Sequence, residues 1–190
     1  MQLEVRIERL GAQGDGVEQG PDGPLFVPFT LPGELVKVDA EPGDGHAEPL
    51  AILEPSPERV APVCQYFGTC GGCALQHMEA HAYLAWKREL VVAALASRGL
   101  EGPVEEVRAA PLARRRRAAF ALGRTADGIA FGYRAARSHA IVDIASARCS
   151  VPPSLGACPS SNLRSRRCSV ASVKPASPSP RPSKASMWLS

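Results

Sequence analysis

At 190 residues the chain can bury one good core or two small ones, so its length argues against a large multidomain enzyme. The formal charge is +3, but residues 1–152 hold 16 basic and 19 acidic side chains, a balance of −3, while residues 153–190 hold six basic and no acidic ones. Because the charge is divided in this way, the overall balance does not by itself indicate nucleic-acid binding.

The sequence contains no recognisable targeting or membrane segment. Its first ten residues, MQLEVRIERL, alternate charged and apolar side chains and lack the apolar core of a signal peptide. No run approaches the roughly 18 apolar residues of a membrane helix. We therefore expect a cytoplasmic protein without membrane contacts. In that reducing compartment clustered thiols bind metal or do chemistry more often than they pair as disulfides.

Residues 1–55 are predicted to form a small β domain. Leu3, Val5 and Ile7 alternate with charged side chains, which is the period of a half-buried strand. Turns rich in glycine and proline separate four or five such strands, and Pro32-Gly33 suits the centre of a type II turn. Strands of this length and spacing favour a small barrel of the OB type.

The glycine-rich stretch at residues 11–16 follows a strand, as phosphate-binding loops do. However, residues 17–19 lead into another turn at Gly20 instead of a helix, so no helix N-terminus is available for a phosphate. The stretch is therefore predicted to be a tight turn.

A small α+β domain is predicted for residues 56–152. Tyr83, Trp86 and Leu90 belong to a stripe of apolar side chains at helical spacing, which predicts a helix over residues 79–98. We interpret the two aromatic side chains as part of its core-facing side, and Gly99 as the residue that ends it. Three strands are predicted to follow, at about residues 114–124, 128–136 and 139–146, with residues 125–128 as the first hairpin turn.

The composition changes abruptly in residues 153–190, which hold 11 of the 16 serines and 6 of the 18 prolines. The segment has neither helical nor strand periodicity and cannot bury enough apolar surface to offset its ordering entropy, so we expect disorder. Two origins are open: a natural basic tail, or an out-of-frame translation that begins near Val151.

Four of the six cysteines precede this tail. Cys64, Cys70 and Cys73 have the spacing C-x5-C-x2-C, and Cys149 follows the last predicted strand. One loop with three thiolates and a remote fourth thiolate can enclose a tetrahedral four-sulfur site. The spacing alone leaves zinc, an iron–sulfur cluster and unrelated buried cysteines as alternatives.

Two glycines inside the cysteine loop support a metal site. Gly71 and Gly72 allow a tight turn and bring backbone N–H groups close to the sulfurs, which stabilises thiolate charge. Cys158 and Cys168 lie in the serine-rich tail and are assigned no ligand role.

The segment CQYFGTCGGCALQH, with YLAWKRELVVAAL and GYRAARSHAIVDIASARC after it, resembles the iron–sulfur segment of the bacterial RNA uracil-C5 methyltransferases, which include 23S ribosomal RNA enzymes. The earlier GDGV and VPFTLPGE resemble the TRAM domain, an OB-like RNA-binding barrel. The resemblance covers about residues 1–152. It implies a 4Fe–4S cluster on Cys64, Cys70, Cys73 and Cys149, and so favours iron over zinc.

The same resemblance implies which parts of the enzyme are missing. In this family a cysteine adds to uracil C6 and a glutamate removes the C5 proton, within a C-terminal Rossmann-like domain that also binds S-adenosylmethionine. Such a domain needs roughly 100 to 150 residues, whereas 41 residues follow Cys149 and none of them shows the required alternation of strands and helices. We therefore expect no catalytic residue and no S-adenosylmethionine site in this chain, and no methyl transfer by it alone.

Candidate RNA contacts come from the densest basic run before the tail, which consists of Arg114, Arg115, Arg116 and Arg117. On a strand these side chains would alternate between two faces, so only two could address one track of phosphates. The alternative is a solvated strand edge, where charge discourages aggregation.

Other side chains are secondary candidates. Arg134, Arg137 and Lys87 are basic residues outside that run. Gln76 and His77 follow the third cysteine and are expected to contact the cluster or RNA, or simply to be exposed on a loop.

The sequence is thus interpreted as the N-terminal part of an RNA uracil-C5 methyltransferase acting on ribosomal RNA, either natural or produced by a frameshift. This part would supply RNA binding and the 4Fe–4S cluster. One alternative is a stand-alone RNA-binding module that uses its basic tail for affinity, and another is a zinc-stabilised adaptor without RNA. No DNA partner is expected.

Overall fold

The structure is a computed structural model of the chain, and it describes residues 1–20, 23–112, 114, 118–125 and 128–144. The tail predicted to be disordered and the predicted ligand Cys149 lie outside these residues. The chain forms two compact units, of which the first contains residues 1–62 and 74–109 and the second contains residues 63–73 and the described residues from 110 onward.

The described residues form nine strands and one helix. The first unit contains β1 (Gln2–Arg6), β2 (Arg9–Leu10), β3 (Gly16–Gly20), β4 (Gly23–Val27), β5 (Leu35–Ala40), β6 (Ala47–Glu54) and α1 (Ala80–Ala96). The second unit contains β7 (Ala121–Thr125), β8 (Gly128–Arg134) and β9 (Ile141–Asp143).

The β structure predicted for the N-terminal region is confirmed, with six strands instead of four or five. Two antiparallel sheets have the strand orders β1-β5-β6 and β2-β3-β4. Because neighbouring residues of a strand point to opposite faces, the predicted alternation buries Val5 and Ile7 while Arg6 stays exposed. The prediction is wrong for Leu3, which is exposed. The core of the sheets comprises Val5, Ile7, Val27, Val36, Val38, Ala40 and Ala47.

The paired strands of the described residues do not form one closed barrel. They form two three-stranded sheets, which are joined at two places. At the first place the chain runs from β1 directly into β2, and between these strands the Glu8 N–H donates to the Val17 carbonyl of β3 at 2.9 Å. At the other place a parallel bridge pairs Phe26 with His46, just before β6. The architecture shown is therefore one of small antiparallel sheets with one helix.

Two predicted turns are present. The Gly14 N–H donates to the Gly11 carbonyl at 3.0 Å and the chain enters β3 at Gly16, so the glycine-rich stretch is a turn that leads into a strand. In the turn after Pro32, Gly33 has a φ of 85°, the left-handed conformation that a type II turn needs at this position.

The predicted helix is confirmed within two residues at each end. The Glu79 carboxylate caps it by accepting from the His81 and Ala82 N–H groups at 2.7 and 3.0 Å. Gly99, with a φ of 67°, ends it as predicted. Its aromatic residues Tyr83 and Trp86 pack on a small core that contains Leu31, Leu75 and Met78. The helix has no fully buried residue of its own, so this half-buried stripe attaches it to the sheets.

The second unit contains the three strands predicted after the helix, in the order β7-β8-β9. Thr125 pairs with Gly128, which confirms the first hairpin. The prediction that the first strand begins at the arginine run is wrong, because β7 begins at Ala121 and Arg114 lies outside any strand. Among the described residues, pairing with β8 starts at Ala121, directly after Phe120, whose ring packs on Phe131 and Tyr133 of β8.

The described residues include no helix that is both long and apolar enough to cross a membrane.

Candidate functional site

The cysteine loop, residues 64–73, is built from consecutive turns. The Phe67 N–H donates to the Cys64 carbonyl at 3.0 Å, and the Cys70 N–H donates to the Tyr66 carbonyl at 2.8 Å. Phe67 is buried and anchors the loop, whereas the three thiols remain half-buried. The loop thus holds three half-buried cysteines on an ordered backbone.

The prediction that both glycines bring a backbone N–H close to a sulfur is confirmed for Gly72 and is wrong for Gly71, whose N–H donates to a carbonyl. The Gly72 N–H donates to the Cys70 sulfur at 3.4 Å, and such a bond favours the thiolate form. A side chain at Gly72 would lie 3.3 Å from the Tyr133 ring and 3.4 Å from the Cys70 sulfur. Since glycine leaves that space open, the backbone can pass between the ring and the sulfur.

A short ladder of backbone contacts ties the cysteine loop to the turn between β8 and β9. The Gly71 N–H donates to the Arg134 carbonyl at 2.9 Å, and the Ala136 N–H donates to the Thr69 carbonyl at 3.2 Å. Between these bonds, Cys70 and Ala135 form an antiparallel bridge. The backbone that carries Cys70 is therefore held by the same hydrogen bonds that hold the turn after Arg134.

The structure describes three of the four predicted metal ligands. Cys64, Cys70 and Cys73 belong to the cysteine loop, while Cys149 lies outside the described residues. Among the residues that are described, no three or more His, Cys, Asp or Glu side chains are grouped so as to hold a metal ion. The assignment of the four thiols as ligands stays a prediction.

The predicted basic contacts separate into two groups. Arg114 is exposed, and Arg115, Arg116 and Arg117 lie outside the described residues. Arg134 and Arg137 are both exposed at the turn between β8 and β9, next to the cysteine loop. Arg134 and Arg137 were only secondary candidates from the sequence, because they are not adjacent to other basic residues along the chain.

His77 contradicts the expectation of an exposed loop histidine, since its side chain is completely buried in the first unit. Burial, and then the positive charge of Arg59, lower its pKa from 6.5 to about 3. The ring is therefore neutral at physiological pH, and it is inaccessible to RNA in this conformation.

A buried ion pair near this region was missed by the sequence analysis. Glu34 is fully buried and its carboxylate accepts from the Leu31 N–H at 2.8 Å and from Arg59 Nη2 at 2.7 Å. Arg59 Nη2 also donates to the Phe29 carbonyl at 3.0 Å. The sequence shows only that Glu34 follows the Pro32-Gly33 turn. Because acidic residues after such turns are also common on protein surfaces, this pattern did not predict a buried carboxylate.

Comparison with known proteins identifies relatives for most of the chain. It is 46% identical over 149 residues to an uncharacterized RNA methyltransferase of Brucella suis, covering 78% of this chain and 35% of that protein. A similar match, 47% over 146 residues, is to an uncharacterized RNA methyltransferase of Agrobacterium fabrum. The 23S rRNA (uracil(1939)-C(5))-methyltransferase RlmD of Chromohalobacter salexigens is 39% identical over 146 residues, covering 74% of this chain and 31% of that enzyme.

These matches show how much of this chain, and how much of each relative, is similar. No family model matches the chain. The chain spans about a third of the length of the curated relatives it matches. Over about three quarters of its own length it belongs to the same sequence family as these RNA methyltransferases.

Proposed function

We propose that this chain is the RNA-binding and iron–sulfur part of an RNA uracil-C5 methyltransferase that acts on ribosomal RNA and uses S-adenosylmethionine. The observation that carries this proposal is the 39% identity to a protein named as a 23S rRNA uracil-C5 methyltransferase. The uracil specificity and the ribosomal substrate come to this chain from that relative.

The N-terminal sheets serve in this proposal as an OB-like TRAM barrel. Its support is the arrangement of the two sheets, which continue into each other at Glu8 and meet again through the bridge between Phe26 and His46. Contacts at both places are what a partly open five- or six-stranded barrel requires.

The 4Fe–4S cluster is proposed to bind Cys64, Cys70, Cys73 and Cys149. Three half-buried cysteines on one loop and a backbone N–H that donates to the Cys70 sulfur suit a sulfur-rich group. When bound, the cluster would supply a covalent tie between this loop and the segment around Cys149, together with roughly two negative charges.

The residues of the chain itself have two tasks in this function. The cysteine loop and the sheet of the second unit form one ordered support, and the basic side chains on that support bind and orient the RNA strand. Addition to uracil C6, methyl transfer to C5 and removal of the C5 proton need a nucleophile, a base and a bound methyl donor. None of these roles is proposed for a described residue.

Metal analysis of anaerobically purified protein tests the cluster. We expect a brown protein with about four iron and four sulfide per chain. Replacing any one of the four proposed ligands with alanine should remove most of the iron, whereas Cys158→Ala, a matched change in the tail, should leave it unchanged. A colourless protein that contains zinc instead would support the zinc-stabilised adaptor and overturn the cluster.

An RNA-binding measurement tests the proposed partner. A labelled fragment of 23S ribosomal RNA should bind with an affinity that falls steeply as salt is added, because phosphate contacts release counterions. Absence of binding at low salt would contradict the assignment to an RNA-modifying enzyme.

A further inference from the structure

The charges of the two units are opposite in sign. Residues 1–62 and 74–109 contain eight basic and 17 acidic side chains, a balance of −9, whereas residues 63–73 and 110–144 contain seven arginines and two aspartates, a balance of +5. RNA phosphates repel the first kind of surface and are attracted by the second. If the chain binds RNA, as the proposed function requires, the electrostatic contacts must come mainly from the second unit.

The turn between β8 and β9, residues 134–140, presents two exposed arginines on an ordered backbone. The Ala135 N–H donates to the Ala140 carbonyl at 2.8 Å, and the Ser138 N–H donates to the Ala135 carbonyl at 3.2 Å. The Ala140 N–H donates to the Ser138 hydroxyl at 3.1 Å. Because the turn is already ordered, binding there would cost little conformational entropy.

The side chains of this turn are arranged as hydrogen-bond donors. Arg134 Nη1 lies 2.6 Å from His139 Nδ1, and since a guanidinium can only donate, the ring nitrogen is the acceptor in this contact. The contact therefore does not cancel the positive charge of Arg134. The remaining guanidinium N–H groups and the other ring N–H of His139 are donors of the kind that bind phosphate oxygens.

We propose that the β8–β9 turn is an RNA phosphate-binding site, formed by Arg134, Arg137 and His139 and held in place by the cysteine loop. The Gly71–Arg134 and Thr69–Ala136 backbone bonds fix the turn to the loop that carries the proposed metal ligands. This inference rests on the proposed function and adds to it the residues that bind the RNA backbone. It also gives the cysteine loop a mechanical role in RNA binding.

Titration of a labelled single-stranded fragment of 23S ribosomal RNA, at several potassium chloride concentrations, tests this site in the full chain. Arg134→Gln removes one charge and keeps the backbone bond to Gly71. Arg137→Asn removes another and suits the positive φ of 52° at this position, which asparagine tolerates. Arg98→Gln is the matched control, because Arg98 is an exposed arginine in the first unit.

We expect each turn variant to weaken binding about 3- to 10-fold and to lower the slope of log K against log salt by about 0.7 per lost phosphate contact. Arg98→Gln should bind like the unchanged protein. Circular dichroism should be the same for all four proteins, since none of the substitutions alters a buried group.

The outcomes separate this site from the proposed function. If the unchanged protein binds RNA in a salt-dependent manner and both turn variants bind equally well, the site is wrong while RNA binding stands. If all variants, including Arg98→Gln, lose affinity to the same extent, the contact is general and the site is also wrong. If the unchanged protein binds no RNA, both proposals fail.

Discussion

Glu34 and Arg59 form the most enclosed charged contact described in the first unit. The side chain of Glu34 has 0% relative exposure and that of Arg59 has 13%. The carboxylate also accepts from the Leu31 and Ser56 N–H groups, so it connects the turn after Pro32 to the chain that follows β6. Charged groups withdrawn from water in this way are stable only while both partners and their hydrogen bonds are present.

Glu34→Gln should therefore destabilise the protein by about 3 kcal/mol or more, because it leaves the Arg59 guanidinium partly buried without its anion. Glu54→Gln is the matched control. Glu54 pairs with Arg6 at 2.6 Å, but both side chains are more than half exposed, so we expect a loss of under about 1 kcal/mol. Urea unfolding of the two variants measures the difference, and equal losses would contradict the importance of burial.

His77 predicts how stability depends on pH. Its folded pKa of about 3 lies below the ordinary value of 6.5, so the folded state binds the proton more weakly than the unfolded state. Stability from this group is complete above pH 6.5 and is lost as the pH falls toward 3, by about 1.4 kcal/mol per pH unit.

A comparison with His77→Gln isolates this contribution from that of the nearby Arg59 and of the Glu34 carboxylate. Between pH 7 and pH 5 the unchanged protein should lose about 2 kcal/mol more than the variant. Parallel stability curves for the two proteins over that range would show that His77 is not kept neutral by burial.

At the scale of single elements, regular side-chain periodicity made the structure predictable. The alternation around Val5 and Ile7 predicted a half-buried strand, and the spacing of Tyr83 and Trp86 predicted a helix that packs through one side. Both patterns work because burial of an apolar face is a local property of the element. The start of β7 was not predictable in this way. Four consecutive arginines show no alternation of apolar and polar side chains, so they do not mark where a half-buried strand begins.

The contact between the cysteine loop and the β8–β9 turn could not be predicted, because backbone pairing between Cys70 and Ala135 leaves no mark on residue type. A weak signal was the glycine pair. A Cβ added at Gly71 would lie 3.0 Å from the Arg134 carbonyl oxygen and 3.3 Å from the Ala136 Cα, so the two backbones approach closely only because this residue is glycine.

Gly71→Ala should therefore separate the loop from the turn. The Ala136 amide donates to the Thr69 carbonyl. We expect it to exchange its hydrogen with solvent about tenfold faster or more, because the free energy of local opening falls by about 1.4 kcal/mol. Gly102→Ala is the control, because nothing lies within 4 Å of a Cβ at that position. Unchanged exchange at Ala136 would mean that the loop does not hold the turn.

At the scale of the whole molecule, the two units differ in charge and in the kind of side chains they carry. The acidic first unit buries a sheet core, a helix stripe and the Glu34–Arg59 pair, which are features of stability. The basic second unit combines the half-buried cysteines of the loop with exposed arginines. The overall balance of −3 before the tail hid this division, because it sums the charges of both units.

The division predicts that metal and RNA binding are coupled within the second unit. If the proposed 4Fe–4S cluster binds and orders the cysteine loop, and the loop holds the β8–β9 turn, removal of its iron with a chelator under oxidising conditions should weaken RNA binding about 5-fold or more. The double variant Arg134→Gln/Arg137→Asn lacks the charges through which this effect acts. It should bind RNA weakly before treatment and change less than about 2-fold after it, which is the non-additivity expected of sites that share a structural element. Equal loss of affinity in both proteins would mean that iron acts on RNA binding by another route, and no loss in the unchanged protein would mean that the turn keeps its position without the metal.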